Sequence, residues 1–213
     1  MEVNHLKSSR FGGGLLVVSL ELPEEVYSID SAQELLPLWT DWGTADVSCS
    51  IHSLGISFFT LLGQKLGYVS VSEFPVPREG EYSMTGDDVR CDSVWFDRHT
   101  RCPSVIVEFE RYTSTADQRK LEGKVANLLL AHHRMQDVPR WLILAYWTEG
   151  LASLPKHSRF YQIIRQGFDT PGRRRVAGTQ EGRLLCLQFI NEADSQKSLR
   201  LTKILQRGSY ESS

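Results

Sequence analysis

Residues 88–134, DVRCDSVWFDRHTRCPSVIVEFERYTSTADQRKLEGKVANLLLAHHR, place three acids where a folded chain tolerates them least. Two runs rich in β-branched and aromatic residues, 89–96 and 104–112, read as strands. Asp97, Arg98, His99 and Pro103 lie in the polar turn between them. Asp92 falls inside the first strand, Glu108 and Glu110 inside the second. Alternation puts Glu108, Glu110 and Ile106 on one face, with Val105, Val107 and Phe109 on the other. A hairpin closed near residue 99 or 100 sets Asp92 opposite residue 107 or 108, so the three carboxylates converge. Isolated buried carboxylates are expensive, and like charges raise each other's pKa. A divalent cation offsets such a cluster most directly, and an all-oxygen ligand set suits Mg²⁺ or Mn²⁺. The plainer alternative is a half-exposed sheet whose acids point to solvent.

Length and charge set the outer bounds. The 213 residues suit one domain, or one domain with an appendage. A net charge of −2 gives no general signal for nucleic acid, so such a partner must be met by a local basic face. No apolar run approaches the ~20 residues of a bilayer span, and residues 15–20 are too short for a signal-peptide core. No membrane association is expected. Cys49, Cys91, Cys102 and Cys186 show no CxxC spacing, which favours reduced thiols and a cytoplasmic setting, although Cys91 and Cys102 flank the hairpin and could be neighbours.

Along the chain, 1–13 reads as a loose leader and 15–22 as a strand. A short helix starts at Ser31, with Glu34 at capping-box spacing, and Trp39 and Trp42 beside it read as packing material. Ile51, Leu54, Phe58, Leu61, Leu62 and Leu66 recur at helical spacing over 47–66; Gly55 and Gly63 weaken that helix and Gly67 ends it. Residues 68–74 form a strand, 78–87 a polar loop, 115–133 a long helix and 140–147 a strand buried on both faces. A basic amphipathic helix follows over 154–168, then a strand over 183–191 and a polar helical tail over 193–206, with the residues after Gly208 frayed.

With Leu121, Val125, Leu128 and His132 on the buried stripe of the long helix, Lys120 and Lys124 share one flank, Gln118 and Glu122 the other. Either flank can be solvent-facing i, i+4 support. His132 and His133 lack a third ligand at zinc-like spacing and suit a core or helix-end role. Arg165 and the run Arg173, Arg174, Arg175 form the densest positive stretch, a candidate phosphate-contacting patch or simply a solvated loop.

The order helix, strand, strand, strand, helix, strand over 47–147, with an acid in the second strand and an ExE pair in the third, resembles the PD-(D/E)xK nuclease superfamily. That resemblance implies an α/β fold: a restriction-endonuclease-like α-β-β-β-α-β core with a central mixed sheet flanked by helices. Residues 1–46 and 148–213 are then N- and C-terminal additions packed on it. It implies a divalent-metal-dependent DNA endonuclease hydrolysing phosphodiester bonds, with Mg²⁺ or Mn²⁺ as cofactor, DNA as partner, no small-molecule cofactor, and a homodimer as one arrangement. Asp92 matches the motif's aspartate and Glu108 its second acid, both as metal ligands. Glu110 stands where a lysine is usual, as some restriction endonucleases have it, and would be a third ligand or a general base; Cys91 stands where proline is usual. In some branches a lysine or glutamine from the following helix reaches the site, which makes Lys120 and Lys124 catalytic candidates. One alternative is a catalytically inactive nuclease-fold protein acting as a binding or assembly subunit; another is an unrelated α/β interaction module with surface acids.

Overall fold

A computed structural model describes residues 22–45, 49–151 and 153–208. The leader, nearly all of the strand expected over 15–22, and the end of the tail lie outside the described residues.

The first helix, α1 (Ile29–Leu35), begins earlier than the capping-box spacing suggests. Ser31 is buried inside it and does not cap it, and Ser28 at the N-cap makes no side-chain cap bond. Packing decides the start, because Ile29, Ala32 and Leu35 all face the core. A π-helical turn over Leu38–Trp42 then buries Trp39, whose indole N–H donates to Asn191 Oδ1 at 2.6 Å, and leaves Trp42 exposed. After β1 (Thr44–Ala45) comes α2 (Ser50–Lys65), closed by Gly67 at φ +90°, a conformation that side-chain-bearing residues rarely adopt.

The strands β2 (Val69–Pro75), β3 (Arg90–Phe96) and β4 (Pro103–Arg111) lead into α3 (Gln118–Arg134). Ser114 and Asp117 form a capping box just ahead of α3. Then follow β5 (Trp141–Glu149), α4 (His157–Gln166), the small hairpin β6 (Phe168–Asp169) and β7 (Arg175–Val176), β8 (Leu184–Ala193) and β9 (Ser198–Arg207). Seven strands form one mixed sheet in the order β1-β9-β8-β5-β4-β3-β2, with β4, β5 and β8 parallel and the other pairings antiparallel. One face, carrying Val105, Val107 and Phe109, packs on α1 and α2; the other, carrying Ile106, Leu144 and Tyr146, packs on α3 and α4. The result is a mixed α/β fold with helices on both faces of the sheet.

The helical tail expected over 193–206 is wrong. Those residues include β9, whose Leu199 and Leu201 are buried and alternate with the outward Arg200 and Thr202 as they pair with β8. A free β8 edge is better satisfied by a paired strand than by a helix. Cys91 and Cys102 are not neighbours either. Cys102 sits opposite Asp97 at the turn, six strand positions or roughly 20 Å from Cys91. All four cysteines are free thiols. Among the described residues no helix is long and apolar enough to cross a membrane.

The two interior glycines of α2 exist for contact. A Cβ at Gly55 would fall on the Phe109 ring, and one at Gly63 would lie 2.8 Å from the Trp95 indole. A methyl at Gly123 in α3 would meet no atom within 4 Å. The same substitution therefore has opposite signs at the two sites. Gly123→Ala gains about 1 kcal/mol of helix propensity, worth roughly 2–4 °C in melting temperature. Gly55→Ala gains the same propensity but overpacks the core by about 1–3 kcal/mol, so it melts lower than wild type. Thermal denaturation of both variants checks the pair.

Candidate active site

The ladder between β3 and β4 runs only as far as Ser93–Val107. Asp92, the next residue, lies in the fork where the two strands part, and its Oδ2 accepts the Phe109 backbone N–H at 2.7 Å in place of a strand carbonyl. One step along, Glu108 stands opposite Asp92. On the other side, the pairings Ser72–Ser93 and Phe74–Cys91 bracket Glu73 opposite Asp92 as well. Glu73, Asp92 and Glu108 thus stand abreast on three adjacent strands. Asp92 is 6% exposed, Glu108 0% and Glu110 8%. The alternative in which these acids face solvent does not hold.

The lysine flank of α3 meets them. Lys124 Nζ donates to Glu108 Oε2 at 2.6 Å and lies 3.6 Å from Asp92 Oδ2. One turn earlier, Lys120 Nζ lies 2.8 Å from Glu110 Oε1, which also accepts the Arg111 backbone N–H at 2.8 Å. The opposite flank ties helices together. Gln118 donates to Glu122 at 3.0 Å and accepts the Lys156 backbone N–H at 2.8 Å, fixing the start of α4 against α3. Helical geometry separates the flanks by about 100° per residue, so one helix can do both.

Asp92, Glu108 and the partly buried Lys124 form a trio whose charge is −1 with Glu108 ionised and zero with it protonated. Burial, then the neighbouring Asp92 charge, pushes the Glu108 carboxyl up to about 8, against the pull of Lys124. For Lys124 burial favours the neutral amine, but the charges of Glu108 and Asp92 outweigh it and hold the ammonium above its ordinary range. Glu108 Oε1 has no hydrogen-bond partner. Cys91, beside the trio, is an inert packing group, its thiol pushed well up by burial and then by Glu108 and Asp92.

A pH dependence follows. The unfolded chain releases the Glu108 proton near 4.5, whereas the folded chain holds it to about 8. Between those values the folded state binds the extra proton, so stability falls as pH rises through the window. Glu108→Gln removes that slope, which is at most about 1.4 kcal/mol per pH unit. Melting curves of both proteins from pH 5 to 8 should converge at the acid end and diverge at the other. Parallel curves would mean that Glu108 does not carry the burden.

The donor set fits a hard divalent cation: two buried carboxylates, a net negative charge with Lys124 once Glu108 is ionised, and an orphaned carboxylate oxygen. Glu110 is drawn towards Lys120 instead, so the acids expected to converge are split between two lysines. Among the described residues, the group of three whose ligand atoms lie within 4.8 Å of one another is His52, Glu73 and Asp92. Reading the sequence alone misses His52 and Glu73. Glu73 is legible as a strand residue, but the long loop between β2 and β3 hides its register with Asp92. His52 sits in a helix with no ligand spacing to mark it.

The arginine run lies towards the far end of α3. A methyl at Gly86 would touch both Leu130 and Thr170, which places the loop at least six residues, about 9 Å of helix rise, beyond Lys124. Arg174 donates to the Met84 carbonyl at 2.8 Å, while Arg175 donates to the Gln166 carbonyl and lies 3.4 Å from Asp169. Two of the three arginines therefore hold loops together. His133 and His132 end α3 against Asp137, at 2.6 and 3.3 Å. No protein-family model, curated protein or solved structure matches the chain.

Proposed function

We propose that the protein is a divalent-metal-dependent nuclease of restriction-endonuclease-like fold, hydrolysing phosphodiester bonds at the Asp92–Glu108–Lys124 centre. The observation that carries this reading is the position of Lys124. Its ammonium reaches Glu108 at 2.6 Å and Asp92 at 3.6 Å, and so supplies from α3 the cation that Glu110 cannot supply from β4. Asp92 and Glu108 would hold a Mg²⁺ or Mn²⁺ ion, which when bound polarises the phosphate and makes water a better nucleophile. Lys124 stabilises the charge that builds on the phosphate oxygens, from a partly buried place where that interaction is strengthened. Glu110, 8% exposed and held by Lys120, accepts the proton from the attacking water. Lys120, Arg119, Lys156 and Arg159 are exposed at the same end of α3 and α4, where they suit the flanking phosphates of a nucleic acid, with DNA the favoured substrate. Arg173 is the member of the arginine run left to contact a longer substrate.

A second reading has one observation in its favour. Every acid lies against a lysine, Asp92 and Glu108 sharing Lys124 and Glu110 facing Lys120, a partial compensation that suits an inherited shell acting as a binding or assembly subunit. Incubation of the purified protein with linear, circular and single-stranded DNA and with RNA, in Mg²⁺, in Mn²⁺ and in chelator, separates the two. Cleavage with a cation and none with chelator is expected. Failure to cut every substrate with either cation would favour the shell.

A further inference from the structure

We infer that Asp92 also belongs to a second ligand set, with His52 and Glu73, that seats a divalent cation of the Mn²⁺ type in preference to Mg²⁺. The seat shares Asp92 with the centre above, but its occupancy does not depend on whether any bond is cut.

The first ground is the pairing of β2 with β3. Glu73 and Asp92 fall at the position the ladder skips between Ser72–Ser93 and Phe74–Cys91, and two acids brought together there destabilise a sheet unless something offsets them. At Glu73 the backbone leaves the regular strand path, at φ +54° in a residue that is not glycine. Its neighbours Ser72 and Phe74 keep their partners across the ladder, so the departure is confined to the residue that carries the acid.

The second ground is His52. It comes from α2, which packs on the face opposite α3, and its ring lies 6.1 Å from that of Phe109, whose backbone N–H holds Asp92. Its ligand nitrogen and the two carboxylate oxygens lie within 4.8 Å of one another. Ligands around a six-coordinate cation of this size stand roughly 3–4 Å apart, so a small side-chain rotation closes the set. Asp92 is reachable from both faces because the β3–β4 ladder has already opened beside it.

A third ground is the carboxyl of Glu108, which the two ligand sets have beside them through Asp92. Glu108 is fully buried next to Asp92, and its Oε1 has no hydrogen-bond partner. Two carboxyl groups side by side disfavour each other's ionised form, and a cation beside Asp92 relieves that. Arg90 already contacts Glu73 at 2.6 Å, but it engages one oxygen, and Glu73 is 42% exposed, which leaves the ion a path from solvent.

The donor types select the metal. Mg²⁺ strongly prefers oxygen ligands and its own waters, whereas an imidazole among carboxylates suits Mn²⁺ and the later first-row ions.

Calorimetric titration of the full chain with MnCl₂ and, separately, with MgCl₂ tests this. Wild type should bind Mn²⁺ about tenfold or more tighter than Mg²⁺, and His52→Ala should remove most of that preference while changing Mg²⁺ affinity little. Glu73→Gln should weaken both ions. Identical Mn²⁺ affinity in wild type and His52→Ala would overturn the inference, as would no Mn²⁺ binding by wild type. Electron spin-echo spectroscopy of Mn²⁺ on wild type covers a variant that fails to fold: nitrogen modulation from a histidine is expected, and its absence is equally fatal. Mn²⁺ bound through His52 with no cleavage would remove the nuclease reading and leave the seat. Cleavage untouched by His52→Ala, with Mn²⁺ affinity also untouched, would do the reverse.

Discussion

Lys124→Met will be the most destabilising single change at the site. It takes the ammonium from beside Asp92 and Glu108, leaving the nearly buried Asp92 charge unpaired and holding the fully buried Glu108 protonated to still higher pH. Breaking a buried pair by removing one partner typically costs about 3–5 kcal/mol, because the remaining charge is left uncompensated. For a chain of this size that corresponds to a fall of roughly 6–20 °C in melting temperature. Methionine keeps the length and most of the apolar stem, so lost packing contributes little. Above pH 8, where Glu108 ionises, adding Glu108→Gln to Lys124→Met should recover part of the loss, a coupling above the few tenths expected of independent sites. Strictly additive effects in the double variant would mean that Lys124 acts through its stem and not its charge. Neither variant should cut nucleic acid, since the ammonium is the group assigned to charge on the phosphate.

What the sequence made legible, and what it hid, follows the range of the interactions. The hairpin and α3 are specified by local pattern: β-branched alternation on either side of a short turn, then an apolar stripe at helical spacing. Those patterns also fixed which face of β4 carries Glu108 and Glu110, and which flank of α3 carries Lys120 and Lys124. Nothing local could say that the lysine flank would face the acids, since that depends on how α3 crosses the sheet. Glu73 and His52 were invisible for the same reason, one placed by a register set across a long loop and the other by the packing of α2 through Gly55 against Phe109. The tail was misread because Leu199, Leu201, Ile204 and Leu205 satisfy both helical and strand spacing over a short run, and only the open edge of β8 chooses. The arginine run shows the limit of reading charge from composition. Arg174 and Arg175 are committed to the Met84 and Gln166 carbonyls, which no count of basic residues reveals.

Glu108→Gln sets stability and function against each other. Replacing the carboxylate by an isosteric amide brings the trio to zero net charge and leaves Lys124 paired with Asp92. At pH 8, where Glu108 in the folded chain is half ionised at the expense of burial, the variant should melt above wild type. The same change removes one of the two oxygen donors proposed for the cation, so cleavage should fall by about 10²-fold or more. A residue kept at a cost to the fold, and needed for the reaction, is the signature of a working site. The direct measurement is therefore a paired one at pH 8: melting temperature and Mn²⁺-dependent cleavage rate of Glu108→Gln beside wild type. A higher melting temperature with cleavage lost is the expected result. Cleavage at the wild-type rate, or a variant that melts lower than wild type, would contradict the assignment of Asp92, Glu108 and Lys124 as the reacting centre.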